Sequence, residues 1–157
     1  MSARPSRVDW AGWLAAAQAA AESAGRLVAL WGADRRPLAG FAACAAYLVK
    51  GELAWIDLDL GADEAYPDVS PLFPHAARMQ RAVFDLVGLQ AQGAGDSRPW
   101  LDHGAWRSRF PLRADAAPAA GAARDYPFVR VEGEGVHEIP VGPVHAGIIE
   151  PGHFRFS

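Results

Sequence analysis

Apolar positions near the amino terminus recur at helical spacing: Trp10, Trp13, Leu14, Ala17, Ala21 and Ala24. Ser6-x-x-Asp9 before them resembles a capping box with Asp in place of the usual Glu. The spacing predicts a helix over 7–24 with a tryptophan-rich buried face, stopped by Gly25. The period then shortens. Residues 27–31 form a short apolar strand run, 32–37 a polar turn, and 38–49 a long run of small apolar residues suited to a central strand. Lys50-Gly51 supplies a two-residue hairpin turn. Residues 53–60 alternate, with Ile56, Leu58 and Leu60 on one face and Asp57 and Asp59 on the other, the period of a half-exposed antiparallel strand. Those acidic residues predict a solvated sheet face. No oxygen-rich, glycine-containing loop accompanies them to make a cation site.

Three prolines in Tyr66-Pro67-Asp68-Val69-Ser70-Pro71-Leu72-Phe73-Pro74 fix φ and predict a rigid extended lead, with Pro74 opening the next helix. In that helix Met79, Ala82, Val83, Leu86 and Val87 form one stripe, Arg78, Arg81 and Asp85 lie off it, and Gly88 ends it. Order thins over 90–109, where Trp100 and Trp106 predict docking onto something. The stretch 114–125 is rich in Ala, Gly and Pro and reads as a mobile linker. At the carboxy terminus two apolar runs, 136–141 and 148–156, flank a Gly-Pro-x-His-x-Gly bend that presents His145 at the tip of a strand pair. The fold class that follows is α+β: an amino-terminal helix, a mainly antiparallel sheet, a second helix after the proline-rich lead, and a carboxy-terminal strand pair. The expected organisation is an α+β domain over 1–113, a linker over 114–125 and a β-rich segment over 126–157.

Composition narrows the function. The chain has 157 residues, about half of them apolar (51%), which excludes a disordered protein. A formal charge of −3 argues against nucleic acid as a partner. The longest uncharged apolar run falls far short of the roughly 20 residues needed to span a bilayer, so no direct membrane insertion is expected. Cys44 is the only cysteine, set in an apolar run where a buried thiol is the default. One thiol supplies no disulfide and no iron–sulfur ligand set, and it suits a reducing, cytoplasmic location.

The run from Tyr66 to Leu89, with its proline-rich lead, helix and Phe84-Asp85-x-x-Gly88 ending, resembles the signature of the C-type subunits of NADH:quinone oxidoreductase, respiratory complex I. Pro111-Leu112-Arg113 and Arg124-Asp125-Tyr126-Pro127 look like that family's Pro-Leu-Arg and Lys-Asp-Tyr-Pro. The tail from Val131-Glu132-Gly133-Glu134-Gly135 resembles the start of the large subunit of energy-converting nickel–iron hydrogenases of the formate hydrogenlyase type. Gln80 and Ala82 depart from the family, which carries carboxylates on either side of Arg81. Val144 and Ala146 depart from the Gln and Pro beside the loop histidine of the quinone-reducing relatives.

The resemblance implies a non-catalytic assembly domain in the peripheral electron-transfer arm of a complex-I-like or hydrogenase-like oxidoreductase. Its partners would be an iron–sulfur subunit and other subunits of a membrane-associated redox complex, at the cytoplasmic face of the inner membrane. A nickel–iron centre, iron–sulfur clusters or quinone would belong to the parent complex, with no cofactor in this chain and no turnover by the chain alone. His145 would correspond to the histidine at the quinone site, and Glu150 to the glutamate of the Arg-Ile-Glu-Gly-His element of hydrogenase large subunits. Against these stand a turn histidine that bonds backbone and a solvent-exposed turn glutamate. Arg81, Asp85, Trp100, Trp106, Arg107, Arg109 and Arg113 are the partner-docking candidates, since Arg and Trp anchor interfaces. The alternative for the loop is a solvated segment with its tryptophans tucked onto its own domain. A different class of reading is a small metal-free enzyme or ligand-binding protein using His145 and Glu150. His137, His145 and His153 recur every eight residues, a spacing that fits no common zinc pattern.

Overall fold

The computed structural model describes residues 5–61, 64–119 and 132–137, with the strand residues 144–145 and 148–149. The apolar runs pair as a meander. β1 (Ser6–Val8) leads into α1 (Trp10–Glu22), followed by β2 (Arg26–Asp34), β3 (Phe41–Val49) and β4 (Glu52–Asp59). The sheet order is β1-β4-β3-β2, antiparallel except where β1 joins β4 in parallel. β1 and β2 therefore run parallel with two strands between them, joined through α1 as a split β-α-β unit. A second parallel pair, β5 (Ala65–Pro67) with β6 (Gln90–Gln92), is joined through α2 (Ala76–Val87). The fold is α+β.

Both helices cover one face of the sheet. On it lie Leu27, Leu30, Ala43, Ala45, Tyr47 and Leu58, packed with Trp13 and Ala17 of α1 and Val83 and Val87 of α2. Trp13 meets Tyr66 edge-on at 5.9 Å and donates its indole N–H to the Pro67 carbonyl at 3.2 Å. Gly32 sets how closely α2 approaches. A Cβ there would lie 3.0 Å from Leu89 and 3.1 Å from Val83, tighter than packed side chains tolerate.

The helix α1 starts later than the capping box suggests. Asp9, not Ser6, is the N-cap, its Oδ1 accepting the Gly12 N–H at 2.8 Å. Ser6 sits in β1, opposite Ile56, because three extended residues there satisfy the backbone of β4, which would otherwise be an open edge. Trp10 and Leu14, expected on the buried face, are exposed. β3 begins at Phe41. Residues 38–40 belong to the turn, closed by the Arg35 N–H on the Gly40 carbonyl, and Leu38 is exposed.

Asp57 overturns the solvated-face expectation. It is 1% exposed, on the helix-free face of the sheet, beneath Arg35 and Trp55. Of the stretch expected to be a linker, 114–119 is described and is bound to its own unit. The Ala114 N–H reaches Asp34, Asp115 pairs with Arg36, and Ala117–Pro118 (β8) pairs with Ser108–Arg109 (β7).

The chain divides into two compact units, Met1–Arg124 and Asp125–Ser157. In the second, Val144–His145 (β9) pairs antiparallel with Ile148–Ile149 (β10), with His145 opposite Ile148. This is the carboxy-terminal strand pair. Residues 136–137, expected to open a longer strand, are exposed and follow a turn at 133–136.

Candidate functional site

Two side chains of α2 organise the irregular loop after β6. The Asp85 carboxylate, on a residue only 8% exposed, accepts the backbone N–H groups of Trp100 (2.8 Å), Leu101 (2.7 Å) and Asp102 (3.3 Å). One turn earlier, Arg81 donates to the carbonyls of Arg98 (2.6 Å) and Pro99 (2.8 Å) and to Asp96 (3.1 Å), with its guanidinium 5.1 Å from the Trp100 ring. Both residues are docking candidates by sequence. The structure turns both inward, onto the loop.

That arrangement presents apolar surface. Phe84 (37%), Trp100 (43%) and Leu101 (40%) stay exposed although their backbone is held from below. Phe84 packs edge-on against Phe110 at 5.6 Å, and the Arg109 guanidinium lies 4.7 Å above the Phe110 ring. Beside them is a cavity of about 290 Å³, lined among others by Arg81, Phe84, Ala91, Ala94 and Arg98. Trp106 is half-buried, and its backbone N–H donates to the Asp102 carboxylate at 3.4 Å. Arg107 and Arg109 are exposed.

Arg113 belongs to a different cluster. Its guanidinium binds Glu64 through two bonds of 2.8 and 3.0 Å, reaches Asp115 at 3.2 Å, and stacks 4.3 Å from Phe41. Arg36 stacks on the same ring at 4.4 Å and binds Asp34 and Asp115, each bidentately. The Arg36 hydrogen bonds hold the Asp34 and Asp115 carboxyls well below the usual range. This network fixes the segment 110–115 to the turn after β2, so Arg113 is committed to its own unit.

Gln80, by sequence a lost surface carboxylate, is buried. Its Oε1 accepts the Val69 N–H at 3.0 Å and its Nε2 donates to Asp68 at 2.7 Å. A carboxylate there would face Asp68, which explains the neutral amide. Sequence reasoning also missed Arg35. It binds Asp57 at 2.6 Å and touches the Cys44 sulfur at 3.5 Å, while Trp55 donates to Asp57 at 2.8 Å and stacks 5.6 Å from Trp31. Burial, aided by Asp57, pushes the Cys44 thiol up to about 12. A nickel centre or iron–sulfur cluster needs several thiolates. The one buried, protonated thiol of this chain does not fit such a group. Among the described residues, no three His, Cys, Asp or Glu side chains gather as a metal site. Glu150 and the His145 side chain lie outside the described residues, and His137 is exposed.

Residues 6–121 match the family described as the respiratory-chain NADH dehydrogenase 30 kDa subunit. The chain belongs to that family. It is also 35% identical over 147 residues to Escherichia coli formate hydrogenlyase subunit 5, covering 83% of this chain and 25% of that protein. Identity to Escherichia coli hydrogenase-4 component G is 34% over 143 residues, 83% of this chain and 26% of that one. The chain thus spans about a quarter of the length of these curated relatives. A solved trypsin-resistant fragment of Nqo5 superposes with a TM-score of 0.48 at 20% identity, covering 57% of this chain and 79% of the fragment. In this 30 kDa family member, no helix among the described residues is long and apolar enough to cross a membrane. The family match contains every docking candidate from Arg81 to Arg113 and ends before His145 and Glu150.

Proposed function

We propose that this 30 kDa family domain is a non-catalytic docking module in the peripheral arm of a hydrogenase-like or complex-I-like oxidoreductase. Its partners are an iron–sulfur subunit and further subunits of a membrane-associated redox complex, gathered at the cytoplasmic face. The tail from Val131 begins a large-subunit-like domain, in which His145 and Glu150 approach the chemistry of the parent complex. Nickel–iron, iron–sulfur or quinone groups are held by those other parts. The family match and the names of the two relatives, a subunit and a component, support this reading.

One structural observation carries it. Trp100 and Leu101 stay partly exposed on a loop whose backbone is pinned by Asp85 and Arg81, and Phe84 is partly exposed on the helix that carries both pinning residues. Large aromatic side chains fixed in place lose little entropy on binding, which is the property of an interface anchor. The test is co-expression with an iron–sulfur subunit of a complex of this type, followed by affinity purification. The wild-type chain should retain that subunit, and Trp100→Ala should lose most of it while remaining folded at the assay temperature. Arg107→Ala should weaken retention less. Full retention by both variants would remove the docking role from this surface.

A further inference from the structure

We infer that the outer face of α2 takes an acidic segment of a partner protein, with an apolar side chain of that segment seated in the cavity beside Phe84. The inference rests on the docking reading above and adds the chemistry of the partner. The cavity of about 290 Å³ has an apolar wall of Phe84, Ala91 and Ala94, room for one large side chain. Arginines flank it. Arg78 is exposed one turn before Arg81 on α2. On the other side, Arg109 lies over Phe110, which itself packs on Phe84. The cavity wall also holds Asp96, paired with the lining arginines Arg81 and Arg98, so the exposed Arg78 and Arg109 beside it are the cations in excess. The chain as a whole carries −3, so this cationic flank is set against the sign of the rest. Charge complementarity of this kind selects an anionic counterpart and speeds its capture. The apolar wall selects against a fully hydrated polyanion and for a polypeptide that offers both carboxylates and an anchor.

The experiment uses the intact chain co-expressed with the iron–sulfur subunit of the test above. The photo-cross-linking residue p-benzoylphenylalanine replaces Phe84, or Leu53 in the β3–β4 hairpin as control. Mass spectrometry should find position 84 joined to a partner segment bearing Asp or Glu on both sides of an apolar residue, and position 53 joined to none. Separately, the double variant Arg78→Glu/Arg109→Glu should cut retained partner by about fivefold or more, with an unchanged melting temperature, and raised salt should mimic it in the wild type. Cross-links from position 84 to lipid, to nucleic acid or to a basic or uncharged segment would overturn the inference, as would unchanged retention by the double variant. Failure of the wild-type chain to retain any partner would instead sink the docking reading itself.

Discussion

Removing the Asp85 carboxylate separates a supporting role from a contact role. A solvent-facing docking residue can be deleted at no cost to stability. Asp85 cannot, because it accepts two short backbone hydrogen bonds, 2.7 and 2.8 Å, and a third at 3.3 Å. Charge-assisted bonds of this kind are worth about 1.5–3 kcal/mol each when a buried acceptor is lost. The three donors belong to half-buried and exposed loop residues and recover part of that from water, so Asp85→Ala should cost roughly 2–4 kcal/mol in all. For a chain of this size that is a fall of roughly 5–15 °C in melting temperature. Asp85→Asn keeps an acceptor oxygen without its charge and should cost about half as much. Urea titration followed by tryptophan fluorescence gives both values. The loop carries Trp100, so the emission of the Ala variant should also shift to the red before global unfolding. A loss under about 0.5 kcal/mol for Asp85→Ala would refute the claim that this carboxylate holds the loop. If partner retention nevertheless fell, Asp85 would have to touch the partner directly.

Three further outcomes follow from buried or paired polar groups. Gln80→Glu puts a second carboxylate 2.7 Å from where Asp68 now accepts an amide, and should cost about 1–3 kcal/mol near neutral pH, with partial recovery below about pH 5, as urea midpoints across pH will show. With its thiol near 12, Cys44 is thiolate in only about one molecule in ten thousand at about pH 8, so Ellman's reagent should label it only through unfolding; full labelling of the native chain within minutes would contradict this. Asp34 and Asp115 titrate lower when folded than unfolded, held by Arg36 above all. Their contribution is therefore complete above the usual carboxylate range and fades as pH falls below about 4. Asp115→Asn should flatten the decline in urea midpoint between about pH 4 and about pH 2, and a profile parallel to wild type would exclude a stabilising role for the Arg36–Asp115 pair.

Regular elements were legible because each announces its period. The strand at 53–60 and the Gly88 stop lie where the residues place them, since backbone geometry and burial act on the same local pattern, whereas the proline lead is extended only at its start, turns at 69–73 and hands over to α2 at Ala76. Asp57 was not legible from alternation, which equates a polar face with water. The clue lay in β3 instead. Ala42, Cys44 and Ala46 are small residues on the face opposite the helices, and they are buried. An apolar strand on both faces implies that something covers both. Here the cover is side chains from neighbouring strands, Trp31, Trp55 and Arg35, and such cross-strand neighbours have no sequence period. The loop after β6 was opaque for a similar reason. It is shaped by Asp85 and Arg81, and the segment after it by Arg36 and Arg113, across separations of up to 79 residues. β1 was too short to show any period.

The helix-free face of the sheet and the outer side of α2 differ in what they leave for a neighbour. On the helix-free face the polar and aromatic groups are spent on one another. Asp57 is buried beneath Arg35 and Trp55, Trp31 packs on Trp55, and the small residues of β3 are sealed below them. On α2 the logic is reversed. Asp85 and Arg81 are turned inward to hold a loop, and the aromatic side chains above them are left in solvent. Fixing a loop costs conformational entropy, and Trp100 and Phe84 reach only part of the burial open to them. Charges spent on holding partly exposed aromatic side chains make sense when a second surface completes their burial, which is why the proposed partner is sought at α2.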